Sequence, residues 1–209
     1  LNGGTLVAHG MAGGSGIGCK SITINGGNVT ASAIREERMG SGEGQYETQD
    51  GSGYGIGSKT TDTIVVQGNA VVNATGEAQG AGIGASQTVS ILGSTDVRAT
   101  GGTQGAGVGD GSGNSTSPDI TISGQAKVTA AGGNNAPGVG IVSVKNSCTI
   151  TISGSADVTA TGGDHFPGIG GNSVADNRTL TIQILENACV NTTGGDGGYL
   201  GFGPGAGIG

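Results

Sequence analysis

Along the chain, apolar and polar residues alternate with a period of two, but only in very short runs. The stretch ITISGSADVTATGG, from Ile150 to Gly163, is representative: Ile150 and Ile152 alternate with polar residues in one run, Val158 and Ala160 in another, and Ser, Gly and Asp separate the two runs. Alternation over so few residues predicts short strands with one buried face, bounded by turns, and no helix-length pattern occurs anywhere.

The same run recurs as ITINGGNVTAS from Ile22, IVVQGNAVVNATG from Ile64, VSILGSTDVRATGG from Val89, ITISGQAKVTAAGG from Ile120 and IQILENACVNTTGG from Ile182. Its second half stands alone as LNGGTLVAHG from Leu1. Each copy is followed by a small-residue phrase closing on Gly-Ile-Gly or Gly-Val-Gly, at Gly18, Gly57, Gly84, Gly109, Gly140, Gly170 and Gly209. Three short strands per unit, in tandem, predict an all-β solenoid: a right-handed parallel β-helix of about seven coils whose strands pair with their copies above and below. The hand follows the general preference of parallel crossovers.

Three inward columns follow from the alignment. The first runs Ile22, Ile64, Val89, Ile120, Ile150, Ile182; the second Leu6, Val29, Val72, Val97, Val128, Val158, Val190; the third Ile17, Ile56, Ile83, Val108, Val139, Ile169, Ile208. Ala81, Ala106, Pro137, Pro167 and Ala206 are expected to face inward beside the corner that precedes the third strand. The Gly residues there suit a sharp bend and positive φ. They are read as scaffold, because a phosphate-binding loop needs a following helix and a Lys or acidic partner. The calcium-binding nonapeptide is also absent, since its period and Asp column are missing.

Composition sharpens this picture. With 49 Gly in 209 residues, no Trp and 2% aromatics, the core has to be built from Ile, Val, Ala and Leu. Collagen is excluded because Gly does not fall at every third position. Regular β-branched runs and only 11% charged residues argue against disorder. A net charge of −7 and the lack of a basic stripe argue against nucleic acid and anionic lipid as partners, and no apolar run is long enough to insert in a membrane. Cys19, Cys148 and Cys189 form no C-x-x-C pair, so they are expected as reduced, unpaired thiols; neither a metal site nor a cofactor is suggested. The chain reads as one β-helix domain, residues 1–209, with bare edges at both ends of the stack, an excerpt of a longer protein.

Candidate chemistry therefore falls on loops. Two coils lengthen the turn between second and third strands. One inserts AIREERMGSGEGQYETQDGSG, from Ala33 to Gly53, which gathers Arg35, Glu36, Glu37, Arg38, Glu43, Tyr46, Glu47 and Asp50; the other inserts GDGGYLGFGP, from Gly195 to Pro204. Paired carboxylates in the first could do acid–base work on a sugar, or simply keep a solvated loop soluble. Near the second, Asp164 and His165 are expected to stack beside Asp196 and Tyr199, with Phe166 and Phe202 close by. The ligand-binding candidates are thus Glu43, Tyr46, Glu47, Asp50, Asp164, His165, Asp196, Tyr199 and Phe202, with no catalytic and no metal-ligating residue assigned. His9 has no visible acidic partner. Ice-binding solenoids display stacked Thr-x-Thr rows, whereas among the outward pairs of the second strand only Thr159 with Thr161 has Thr at both places.

Repeats such as ITISGSADVTATGGDHFPGIGG, from Ile150 to Gly171, resemble the Gly-rich right-handed β-helix repeats of large secreted or wall-attached proteins of Gram-positive bacteria. The resemblance covers the whole chain, yet its motifs are scaffold motifs. It implies an extracellular or cell-surface segment, used for adhesion or carbohydrate binding, with a glycan or host surface ligand as partner. The alternatives are a glycoside hydrolase or polysaccharide lyase built on a β-helix, a ligand-free stalk and, last, ice binding. The lyase pattern of clustered Asp with a Lys or Arg base along one face is not matched.

Overall fold

The computed structural model describes residues 1–11, 13–34, 37–39, 46–48, 52–113, 117–171, 178–197 and 204–209, with the backbone alone at 37–39 and 46–48. Among these there is no helix, and three parallel sheets account for the architecture. First strands form a six-stranded sheet from Ser21–Ile24 to Leu180–Ile184; second strands form a seven-stranded sheet from Thr5–Met11 to Cys189–Thr193. Third strands, only two or three residues long, form a five-stranded sheet from Ile56–Gly57 to Ile169–Gly171, continued by single bridges at Ile17 and Ile208. Within each sheet, every strand pairs with its counterparts in the coils before and after, which is the three-sided parallel β-helix expected from the repeats.

The three columns are present residue for residue. Ile120 pairs with Ile150, Val128 with Val158 and Val139 with Ile169, and the remaining members follow in the same register. Together with Ile24, Val66, Ile91, Ile122 and Ile152 and the alanines of the second strand, their inner members form one continuous core cluster, with Leu6, Ile17, Ile182 and Val190 partly buried against it and Ile208 exposed. β-Branched side chains suit this arrangement, because stacked rows of like side chains are packed from above and below with their χ1 already restricted. Gly140 shows why the third strand ends on Gly: its φ is +148°, and a Cβ there would collide with the carbonyl oxygen of Gly170 in the next coil.

Two expectations need correction. Ala81 and Ala106 are fully buried, but they lie outside the central cluster. A Cβ on Gly84 would stand 2.8 Å from that of Ala81 and 2.9 Å from Cε1 of Tyr54, so these residues pack around the end of the third strand and do not line the interior. The first insertion also begins later than the sequence suggests. Ala33 and Ile34 belong to the second strand, opposite Gly10 and Met11, since the V-x-A-x alternation simply continues through them.

Candidate functional site

The corners of the coil differ in how their polar side chains are used. At the first corner, between first and second strands, three amides bond in series across the first coils: Asn25 Nδ2 donates to Asn2 Oδ1 at 2.7 Å, and Gln67 Nε2 donates to Asn25 Oδ1 at 2.6 Å. At the third corner, where the chain passes to the next coil, side chains cap backbone groups one coil away. Thr61 Oγ1 donates to the Cys19 carbonyl at 2.7 Å; Ser117 Oγ accepts the Lys145 N–H at 2.8 Å and Asp119 Oδ1 the Thr149 N–H at 2.7 Å. These bonds stabilise the stack and leave little capacity for a ligand. A groove of about 530 Å³ opens beside Ser15, Gly18, Cys19, Lys20, Ser58 and Thr60, but its one ammonium, Lys20, already faces Asp62 at 3.4 Å.

The second corner is different. The residue four places before the third-strand Ile or Val is Ser52, Gln79, Gln104, Asn135 and His165 in five successive coils. The backbone holds them in one row: Gln104 N–H donates to the Ala78 carbonyl at 2.7 Å and Asn135 N–H to that of Thr103 at 2.9 Å. Ser52 Oγ donates to Gln79 Oε1 at 3.2 Å. Among the described residues the side chains of Gln104 and Asn135 have no hydrogen-bond partner, and Asn135 is exposed. The turn after the third strand Val108–Gly109 runs alongside: Gly111 bridges Gly105, and Ser112 N–H donates to the Gln104 carbonyl at 2.9 Å.

At the far end of this row stand the candidates of the second group. His165 adopts φ +63° and its N–H donates to the Asp196 carbonyl at 3.1 Å, while Gly195 N–H donates to the Phe166 carbonyl at 3.0 Å. Asp164 and Asp196 are exposed in adjacent coils, and Phe166 is buried beneath them. Tyr199 and Phe202 lie outside the described residues. In the first insertion, Glu37–Met39 pairs antiparallel with Tyr46–Thr48, which sets Arg38 opposite Glu47 and Met39 opposite Tyr46 along the backbone. Glu43 and Asp50 lie outside the described residues, as do the side chains of Tyr46 and Glu47. The structure thus brings Asp164, His165 and Asp196 together at this corner.

Sequence reasoning missed three features. The row of Ser52, Gln79, Gln104, Asn135 and His165 varies in residue type, so no motif marks it, although counting back four places from each third-strand Ile or Val finds it. Tyr54 takes the place of Ala81 in its coil and is fully buried, its ring beside Gly84 and Gly111. Asp110 is 1% exposed, and burial pushes its carboxyl up to about 8, against the Val142 N–H bond and the Lys145 ammonium, which both pull it down. No three His, Cys, Asp or Glu side chains among the described residues are grouped to hold a metal ion. No helix among them is long and apolar enough to cross a membrane. No protein-family model, no curated protein and no solved structure matches the chain.

Proposed function

We propose that this β-solenoid is a non-catalytic, extracellular segment of a bacterial surface protein that binds carbohydrate through the second corner and the two insertions rising from it. The observation that carries the reading is the row of neutral side chains there, one per coil, in which the Gln104 and Asn135 amides have no hydrogen-bond partner among the described residues. An amide presents both donors and an acceptor, which suits sugar hydroxyls. The carboxylates of Asp164 and Asp196 add stronger, charged acceptors at one end. The flat faces offer little to a sugar ring: of the aromatics, Tyr54 and Phe166 are buried, and Tyr46, Tyr199 and Phe202 fall in the insertions.

A glycan array tests this reading. The intact chain should bind a defined subset of glycans, and binding should fall on deleting Arg35 to Asp50, on the pair Tyr199→Ala and Phe202→Ala, or on the pair Gln104→Ala and Asn135→Ala. The melting temperature should hardly move in any of them, since loops lie outside the cooperative stack. An intact chain that binds no glycan overturns the reading. Hydrolysis of an array glycan that disappears with Glu43→Gln or Glu47→Gln replaces it with a catalytic one.

A further inference from the structure

We infer that the second corner takes a neutral, extended polysaccharide lying along the solenoid axis, each coil hydrogen-bonding one sugar. This rests on the carbohydrate reading above and adds to it the class of glycan and its direction. Ser52, Gln79, Gln104, Asn135 and His165 repeat once per coil, in register with the third-strand ladder that pairs Ile56, Ile83, Val108, Val139 and Ile169 in turn. Coils of a parallel β-helix advance by roughly 4.8 Å, close to the advance of one pyranose in an extended β-linked chain. A straight polymer therefore stays in step with the row, whereas a coiled α-linked chain leaves it after a residue or two.

The side chains of the row carry no charge of their own; the Lys59 ammonium comes near it only at the Gly113 turn beside Gln79, and the preference for neutral sugars rests on the carboxylates at the row's end. None of the four residues from Ser52 to Asn135 is ionisable, and each offers a hydroxyl or amide that donates and accepts. Asp164 and Asp196 stand exposed at one end of the row, on a chain of net charge −7, and repel uronates and sulfated glycans. The row is also long: five coils give contacts along the interior of a chain, so no free chain end is required. Asp110 to Gly113, held against Gly105 and Gln104, provides a wall on one side of the middle of the row.

Isothermal titration of the intact chain with neutral β-1,4-linked oligosaccharides of about one to six sugars (cello-, xylo- and manno-series), beside an oligogalacturonate ladder, tests the inference. For at least one neutral series the affinity should rise with each added sugar and level off once the row is filled, at about four or five. Gln104→Ala and Asn135→Ala should each weaken the longest oligomer by about two- to tenfold, the worth of one net hydrogen bond. Gln67→Ala, at the first corner, should leave it unchanged. A monosaccharide that binds as tightly as the hexamer, tighter binding of the galacturonate ladder, or full affinity in the double alanine variant overturns this inference and leaves the carbohydrate reading standing. Absence of binding to every glycan removes both.

Discussion

The carboxylate of Asp110 accepts the backbone N–H of Val142, one coil further along the stack, at 2.6 Å while lying almost entirely out of water. Desolvation outweighs that bond and the nearby Lys145 ammonium, so the folded chain holds this carboxyl at about 8 against an ordinary 3.8. A group whose folded value is raised contributes stability in full below its unfolded value and loses it as the pH climbs through the folded one. The melting temperature of the native chain should therefore fall, relative to that of Asp110→Asn, between about pH 4 and pH 8, and the difference should be flat above. Parallel melting curves of the two proteins across that range check it, and a constant difference counts against a buried, protonated Asp110.

Val158 sits between Val128 and Val190 in the second column and is fully buried. Replacing it by Asp places an unpaired charge in the core with no polar neighbour in its column, at a cost of about 3 kcal/mol or more. Val158→Asp should lose cooperative melting or melt far below the native chain, while Thr159→Asp, on the outward face of the same strand, should melt close to it. Circular dichroism of the pair reads the outcome, and equal melting temperatures would contradict the column.

Cys148 is buried and lies on the first-strand sheet, Cys189 is exposed on the second, and Cys19 is exposed coils away; all three are free thiols. Burial first, and then the carboxylates of Asp119 and Asp110, push the Cys148 thiol up to about 11, which a hydrogen bond with Ser117 only partly offsets. Since the thiolate is the reactive form, alkylation at neutral pH should modify Cys19 and Cys189 quickly and Cys148 only after denaturant is added. Mass spectrometry of the labelled chain distinguishes the three, and rapid labelling of Cys148 in the folded protein would contradict its placement.

What could be read from the sequence follows from repetition. Ile22 to Ile182, Leu6 to Val190 and Ile17 to Ile208 are legible because each position recurs at the same distance from the same turn, so a few residues of alternation per strand add up to an unambiguous column. Features that occur once are not legible in this way. Asp110 reads as one more polar turn residue, and its burial becomes apparent only when Val142 and the turn beyond it close over the carboxyl. Ala81 and Ala106 have the parity of inward residues, but the third strand is too short to carry that parity through the corner. The row from Ser52 to His165 is intermediate: its register is in the sequence, while the lack of partners for the Gln104 and Asn135 amides among the described residues depends on side-chain geometry.

Tyr54 is the largest side chain buried at the second corner, where neighbouring coils place Ala81, Ala106, Pro137 or Pro167. Its ring reaches past Gly84 in the next coil, and its hydroxyl would stand 2.9 Å from a Cβ on Gly111, two coils on. A single aromatic thus packs across three successive coils and supports the turn that runs beside Gln104. Tyr54→Ala opens a cavity that rigid, backbone-lined surroundings cannot refill, because Gly80, Gly84 and Gly111 contribute no side chains, and it should cost about 3 kcal/mol or more. Tyr54→Phe keeps the ring, so any loss there reports the hydroxyl alone, about 1 kcal/mol if it is hydrogen-bonded in the fold. Denaturant unfolding of both variants, with the amide exchange of Ser112 followed by NMR, checks the argument. Tyr54→Ala should lower the unfolding midpoint and speed exchange of the Ser112 N–H that bonds the Gln104 carbonyl, and an unchanged midpoint would show that the ring is not packed in the corner.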